Sequence, residues 1–187
     1  MKRPMKNFWI FLLGLFGLHG GAVFAGSQGV LCAADIKGDS KNPSAPGCAD
    51  ILAWSWGLST PTQSGGGGGG GVILPSFQDL SLTKETDSSS DDLFKLAATG
   101  VTLSGIVELR QYATCGSGCT SPDPYLTIHM KDVQVTSLNM GGSSGADLPQ
   151  ESLSLHYSQV SFCYTAAKGA QQCFAFDVQN NTPVSPF

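Results

Sequence analysis

Cys115 and Cys119, separated by Gly-Ser-Gly, are the tightest cluster of reactive side chains in the sequence, and their spacing suits either a disulfide staple or half of a zinc site. A structural zinc ion wants four soft ligands, and no second cysteine pair has metal-ligand spacing. Beyond His19 the chain has only His129 and His156, both in stretches that read as strands, and neither sits in a sequence context that links it to a nucleophile. Asp91 and Asp92 could be an acid and base or a metal pair. They follow Ser88, Ser89 and Ser90 at the start of an apolar helical stripe, so they read as helix-start acids that complement the dipole. Seven consecutive glycines, 65–71, invite a phosphate-loop reading. No Lys-Ser or Lys-Thr follows them, however, and Val72-Ile73-Leu74-Pro75 does not begin a helix. No Gly-x-Ser-x-Gly elbow or His-Glu-x-x-His pair is present, and the remaining carboxylates are scattered. The expectation is a non-enzymatic protein with no metal and no cofactor.

Before these residues comes an address. Lys2, Arg3 and Lys6 precede the apolar run Phe8–Leu18, and Val23-Phe24-Ala25 offers small residues to a peptidase, so residues 1–25 read as a secretory signal peptide cut before Gly26. The run spans about 11 residues, where a membrane-crossing helix needs roughly 20. Leu31 is too bulky to precede a lipidated Cys32. Cleavage takes the formal charge from −4 to −7, which argues against nucleic acid and anionic membrane as partners. The mature stretch, 26–187, is long enough for one domain with its own core. Exported chains with an even number of cysteines favour disulfides. Each neighbouring pair flanks a Gly-, Pro- or Ala-rich turn, which suggests Cys32 with Cys48, Cys115 with Cys119, and Cys163 with Cys173.

Period-2 alternation dominates the mature chain. Val30–Ile36 reads as a first strand and 38–47 as a loop. Across 51–58, Leu52, Trp54, Trp56 and Leu58 share one face, and the tryptophans read as core or subunit interface. Phe77, Leu80 and Leu82 follow the glycines. The one helix carries Leu93, Phe94, Leu96 and Ala97 on its stripe and ends at Gly100. Val101, Leu103, Val107 and Leu109 then share a face. Leu126, Ile128 and Met130 run on through Val133 and Val135 as one strand. Leu153, Leu155, Tyr157, Val160, Phe162 and Tyr164 read as one long strand with a register shift near Ser158. Phe174, Phe176 and Val178 close the pattern, paired through a turn at 166–170. Some seven strands and one helix imply a mainly β fold, an antiparallel barrel or sandwich.

Several collinear segments together resemble one family, the haemolysin co-regulated protein (Hcp), tube subunit of type VI secretion. They are Ile36-Lys37-Gly38-Asp39-Ser40, Ile51-Leu52-Ala53-Trp54-Ser55-Trp56-Gly57, Phe77–Lys84, the helix at 91–100, Leu126–Gly142, Glu151–Leu155 and Val160–Tyr164. The resemblance implies a compact antiparallel β-barrel with one helix and a long Gly-rich loop, hexameric rings stacked into a hollow tube, and a lumen that carries effectors beneath a puncturing tip. The loop composition and the resemblance together make Trp54, Trp56, Ser64, Gly65, Gly68, Gly71 and Val72 the candidate assembly residues, with 59–76 mediating ring stacking. The family's usual members lack a leader and are poor in cysteine, so the same residues also admit an exported binding or adhesion module of this fold.

Overall fold

The computed structural model describes residues 27–61, 74–113, 123–166 and 169–187. The leader 1–25, the loop candidates Ser64, Gly65, Gly68, Gly71 and Val72, and the Cys115–Cys119 pairing lie outside the described residues.

Thirteen strands and one helix occur among the described residues. In chain order they are β1 (Ser27–Cys32), β2 (Ala49–Ile51), β3 (Ala53–Ser55), β4 (Leu58–Ser59), β5 (Ser76–Phe77) and β6 (Leu80–Glu85). Helix α1 (Ser90–Thr99) comes next, then β7 (Ile106–Ala113), β8 (Leu126–Lys131), β9 (Gln134–Gly141), β10 (Gln150–His156), β11 (Gln159–Thr165), β12 (Gln171–Asp177) and β13 (Thr182–Val184). The architecture is mainly β and antiparallel with one helix. Its ladders form a seven-stranded sheet, β13-β12-β11-β8-β7-β1-β2, a four-stranded sheet, β3-β6-β10-β9, and a small ribbon, β4-β5, with no closed barrel among the described residues. Leu31, Val107, Leu109, Ile128, Met130 and Val160 of the large sheet meet Leu80, Leu82, Val135, Leu153 and Leu155 of the small one, with Leu93 and Leu96 of α1 completing the core.

Three of the long strands expected from alternation are broken where the chain passes from one sheet to the other. The 51–58 strand bends at Leu52, which is exposed, while its N–H donates to Thr83 O at 2.8 Å. The strand through Val133 and Val135 divides at Asp132, whose φ of 53° is one that Asp tolerates better than most side chains. The 153–164 strand divides between β10 and β11, where Ser158 N–H donates to Lys131 O at 3.1 Å. Apolar residues on both sides of each corner face the same core, so alternation continues in sequence although the strand does not. Phe94, expected inside, is exposed because α1 buries only Ser90, Leu93 and Leu96, and Val101, past the Gly100 cap, is exposed as well.

The helix start departs from simple serine capping. Ser89 occupies the cap position without a side-chain cap bond, and its N–H and hydroxyl both donate to Asp87 Oδ1. The other end agrees with expectation, with Gly100 at φ 63° and its N–H on Leu96 O. Behind Asp87 lies the fully buried Lys84, on the same side of β6 as Leu80 and Leu82. Its ammonium donates to Glu151 Oε2 at 3.0 Å and to Ser90 Oγ at 3.2 Å, and it pairs with Asp87 Oδ1 at 2.8 Å. Glu151 stands directly opposite Lys84 in the β6–β10 ladder.

Removing one partner of such a pair strands a buried charge. Lys84→Met is expected to cost about 3–5 kcal/mol in urea unfolding, and the double change Lys84→Met with Glu151→Leu to recover most of it. Burial works against the charge on Asp87, but the Lys84 ammonium and the Ser89 hydroxyl and amide hold its carboxyl below the usual carboxylate range. A lowered carboxyl contributes stability that is present above its unfolded value, about 3.9, and is lost as pH falls through the folded value. Asp87→Asn should therefore be less stable than the parent at neutral pH and should lose less on acidification below about pH 4, read from urea midpoints across pH.

Candidate assembly surface

Where the large sheet extends past the small one, its core-facing side is left open. On β11 and β12 the pairs Val160↔Phe176 and Phe162↔Phe174 lie on that side. Val160 is buried, but Phe162 is 39 % and Phe174 62 % exposed, so two positions expected in the core stand at its open margin. Tyr164, on the same side of β11, is also exposed. The β4–β5 ribbon approaches from the opposite wall and brings Leu58 and Phe77. Together Trp56, Leu58, Phe77, Val160, Phe162, Phe174 and Phe176 line an apolar cleft of about 300 Å³.

The cleft is built on stacked rings. Trp56 lies over Phe162 with centroids 6.2 Å apart and planes 14° apart, and Phe77 over Phe176 at 5.2 Å. Trp56 is fixed by its indole N–H, which donates to the Tyr157 hydroxyl, and that hydroxyl donates to Gln78 O at 2.9 Å. Burial pushes the Tyr157 hydroxyl up to about 12, so it keeps its proton and its donor role at any ordinary pH. Trp54, the other tryptophan candidate, is half-buried against the core, with its N–H on the buried Gln111 Oε1 at 2.8 Å. Of the two, Trp56 lines the cleft, whereas Trp54 borders the groove on the four-stranded sheet. Phe162, Phe174 and Leu58 were not singled out from sequence for assembly. Their signal, apolar residues at period 2, is the same as that of a core residue.

A second surface is the side of the four-stranded sheet turned away from the core. Ala53, Ser55, Ser81, Thr83, Ser137, Asn139, Ser152 and Ser154 line a shallow groove there, all small and uncharged.

The histidines are engaged in structure. His156 Nδ1 meets Asp79 Oδ1 at 3.0 Å, while the Thr136 hydroxyl donates to Asp79 Oδ2 rather than to the ring. His129 lies between Glu108 and the main-chain oxygen of Phe187. Asp91 is exposed and Asp92 half-buried at the helix start. Cys32 is bonded to Cys48 and Cys163 to Cys173, the latter joining directly opposed residues of the β11–β12 hairpin.

A mainly β scaffold with one helix, two staples and an open aromatic cleft is the class of protein the geometry defines. The family model described as type VI secretion system effector, Hcp, matches residues 29–164. Protein hcp1 of Pseudomonas aeruginosa is 36 % identical over 135 residues, covering 72 % of this chain and 80 % of that protein. Among solved structures, a type six secretion system protein superposes with a TM-score of 0.73 at 20 % identity, covering 85 % of this chain and all of that one. Hcp1 from Salmonella typhimurium gives a TM-score of 0.67 at 21 % identity, with 84 % and 99 % covered. The chain belongs to the Hcp family of type VI secretion proteins.

Two substitutions separate the cleft's support from its surface. Tyr157→Phe leaves the Trp56 N–H without its acceptor and is expected to cost about 1–3 kcal/mol in urea unfolding. Phe174→Ser, at an exposed site, should stay within about 0.5 kcal/mol of the parent.

Proposed function

We propose that the mature protein, residues 26–187, is a structural subunit that assembles into hexameric rings, and that it does so through the aromatic cleft. The observation that carries this reading is the cleft itself, an all-apolar opening walled by exposed Phe162, Phe174 and Leu58 in a chain of the Hcp family. Exposed apolar patches of this kind mark contact surfaces, and buried aromatic anchors dominate interface energetics. A closed ring is heterologous, so a different surface of the neighbouring subunit must fill the cleft. The segment 59–76, which joins the two walls of the β4–β5 ribbon, mediates stacking of one ring on the next. The groove of small side chains on the four-stranded sheet faces the lumen, where its lining presents hydroxyl and amide groups rather than charge to an effector in transit.

The second reading, an exported binding module of the same fold, is favoured by the two disulfides, since such bonds persist in oxidising compartments. Export by the leader 1–25 belongs to both readings.

Size-exclusion chromatography with light scattering on residues 26–187 decides between them. The expected result is a hexamer that Phe162→Asp with Phe174→Asp converts to folded monomer, as judged by circular dichroism. Replacing 62–72 by a two-residue turn should abolish stacked rings in electron micrographs. A strict monomer at high concentration overturns the assembly reading in favour of the exported module.

A further inference from the structure

The four-stranded sheet ends in two unlike edges, and each carries its own apolar surface. β3 forms one edge, and the chain runs from it into the β4–β5 ribbon that brings Leu58 and Phe77 to the aromatic cleft. β9 forms the other, and α1 packs along it. Just past the helix, Leu103 N–H donates to Val133 O at 2.8 Å, and the Gln134 amide donates to Thr102 Oγ1 at 3.1 Å, which ties the chain to this edge. α1 turns Leu93 and Leu96 inward. Phe94, about 100° further round the helix than Leu93, stands 65 % exposed, with Ala98 exposed one turn on. Among the described residues it is the one exposed aromatic ring outside the β11–β12 hairpin. The helix cannot fold this ring away, because it is pinned at both ends. Ser88, before it, gives its N–H and hydroxyl to Asp39 Oδ2 at 3.0 and 2.6 Å, and Ser104, after it, gives its hydroxyl to Asp35 Oδ2 at 2.7 Å. Both aspartates belong to the loop that the Cys32–Cys48 bond closes.

Building on the cleft as the ring contact, we propose that Phe94 of one copy is the anchor that fills the aromatic cleft of the next, so that α1 and the cleft are the two unlike halves of one repeated contact. A closed ring is heterologous, so the occupant of the cleft is a different patch of the same chain, and the contact repeats only when the two patches lie on opposite flanks of the subunit. Cleft against cleft would stop at a dimer. With the groove of the four-stranded sheet turned to the lumen, the β3 and β9 edges face the two neighbours, which puts the cleft on one flank and α1 on the other. The chemistry of the two surfaces also matches. The cleft is lined by apolar side chains alone, and the helical neighbours of Phe94 on its own flank are Ser90, Ala97 and Ala98, none of them charged. Asp91 and Lys95 fall at the rim of such a contact, where water remains. A ring entering beside Phe162 and Phe174 extends the stack that Trp56 and Phe77 begin. Because the helix is held before contact, little freedom is lost when its ring docks.

The test is cross-linking of residues 26–187 in the assembled state. Phe94→Cys combined with Phe174→Cys and treated with bismaleimidoethane should give a ladder of covalent species up to the hexamer on denaturing gels, while the parent and each single substitution, treated alike, should not. Phe94→Asp should elute as a monomer with unchanged circular dichroism, since the site is exposed. A parent hexamer that Phe162→Asp with Phe174→Asp dissociates, but that Phe94→Asp leaves intact or the double cysteine variant fails to cross-link, overturns α1 as the occupant and leaves the cleft as the contact. A ladder from Phe94→Cys alone shows helix against helix and also overturns it. A monomeric parent overturns both the ring reading and this contact.

Discussion

A lysine ammonium with no exposure to water is tolerable only where every N–H finds an acceptor, and Lys84 meets that condition with Glu151, Asp87 and Ser90. The consequence is geometric more than energetic, since a buried ion pair is weak evidence of net stability. Lys84 lies on β6, Glu151 opposite it on β10, and Asp87 and Ser90 at the turn into α1. One charge thus fixes the register of the central pair of the four-stranded sheet and the point where the helix leaves it. A one-residue slip of β6 would turn Leu80 and Leu82 outward and separate Lys84 from Glu151. The half-buried Asp87 completes the lysine's coordination.

With β6, β10 and α1 held in place, the small sheet covers only part of the large one. The uncovered part is the β11–β12 hairpin, and the phenylalanines on its core-facing side are stacked by Trp56 and Phe77 rather than sealed. The Tyr157 hydroxyl fixes Trp56 from a position at the β10–β11 corner. The crossing that separates the two sheets therefore also sets the wall of the cleft.

Strands and helix were legible because alternation and the Leu93/Leu96 spacing obey the backbone period. The corners were not legible, because residues before and after Leu52, Asp132 and Ser158 point at one core, and a pattern of burial carries no record of which sheet supplies it. Lys84 was missed through the general rule that lysine lies outside. The run Leu80, Leu82, Lys84 at period 2, opposite Glu151-Ser152-Leu153-Ser154-Leu155, was the signal that could have found it. β13 escaped because prolines at 183 and 186 argue against a central strand, and it is in fact an edge strand. Within the candidate surface, Trp56 was readable as an interface residue, while Phe162 and Phe174 took the same place in the alternation as core residues.

The family match ends at Tyr164, and the residues beyond it lock one hairpin. Cys173 staples β12 to β11 from the outer side, and β13 adds a strand beside β12. The disulfide acts from the face opposite the cleft and β13 from the sheet edge, and both restrict the hairpin that carries Phe162 and Phe174. An exposed hairpin that presents aromatic anchors to a neighbour loses conformational freedom on contact, and that loss subtracts from the binding energy. Fixing the hairpin in advance lowers that cost for any neighbour it meets. The disulfide and the edge strand thus stiffen the two strands that present the cleft's phenylalanines, which favours the proposed assembly.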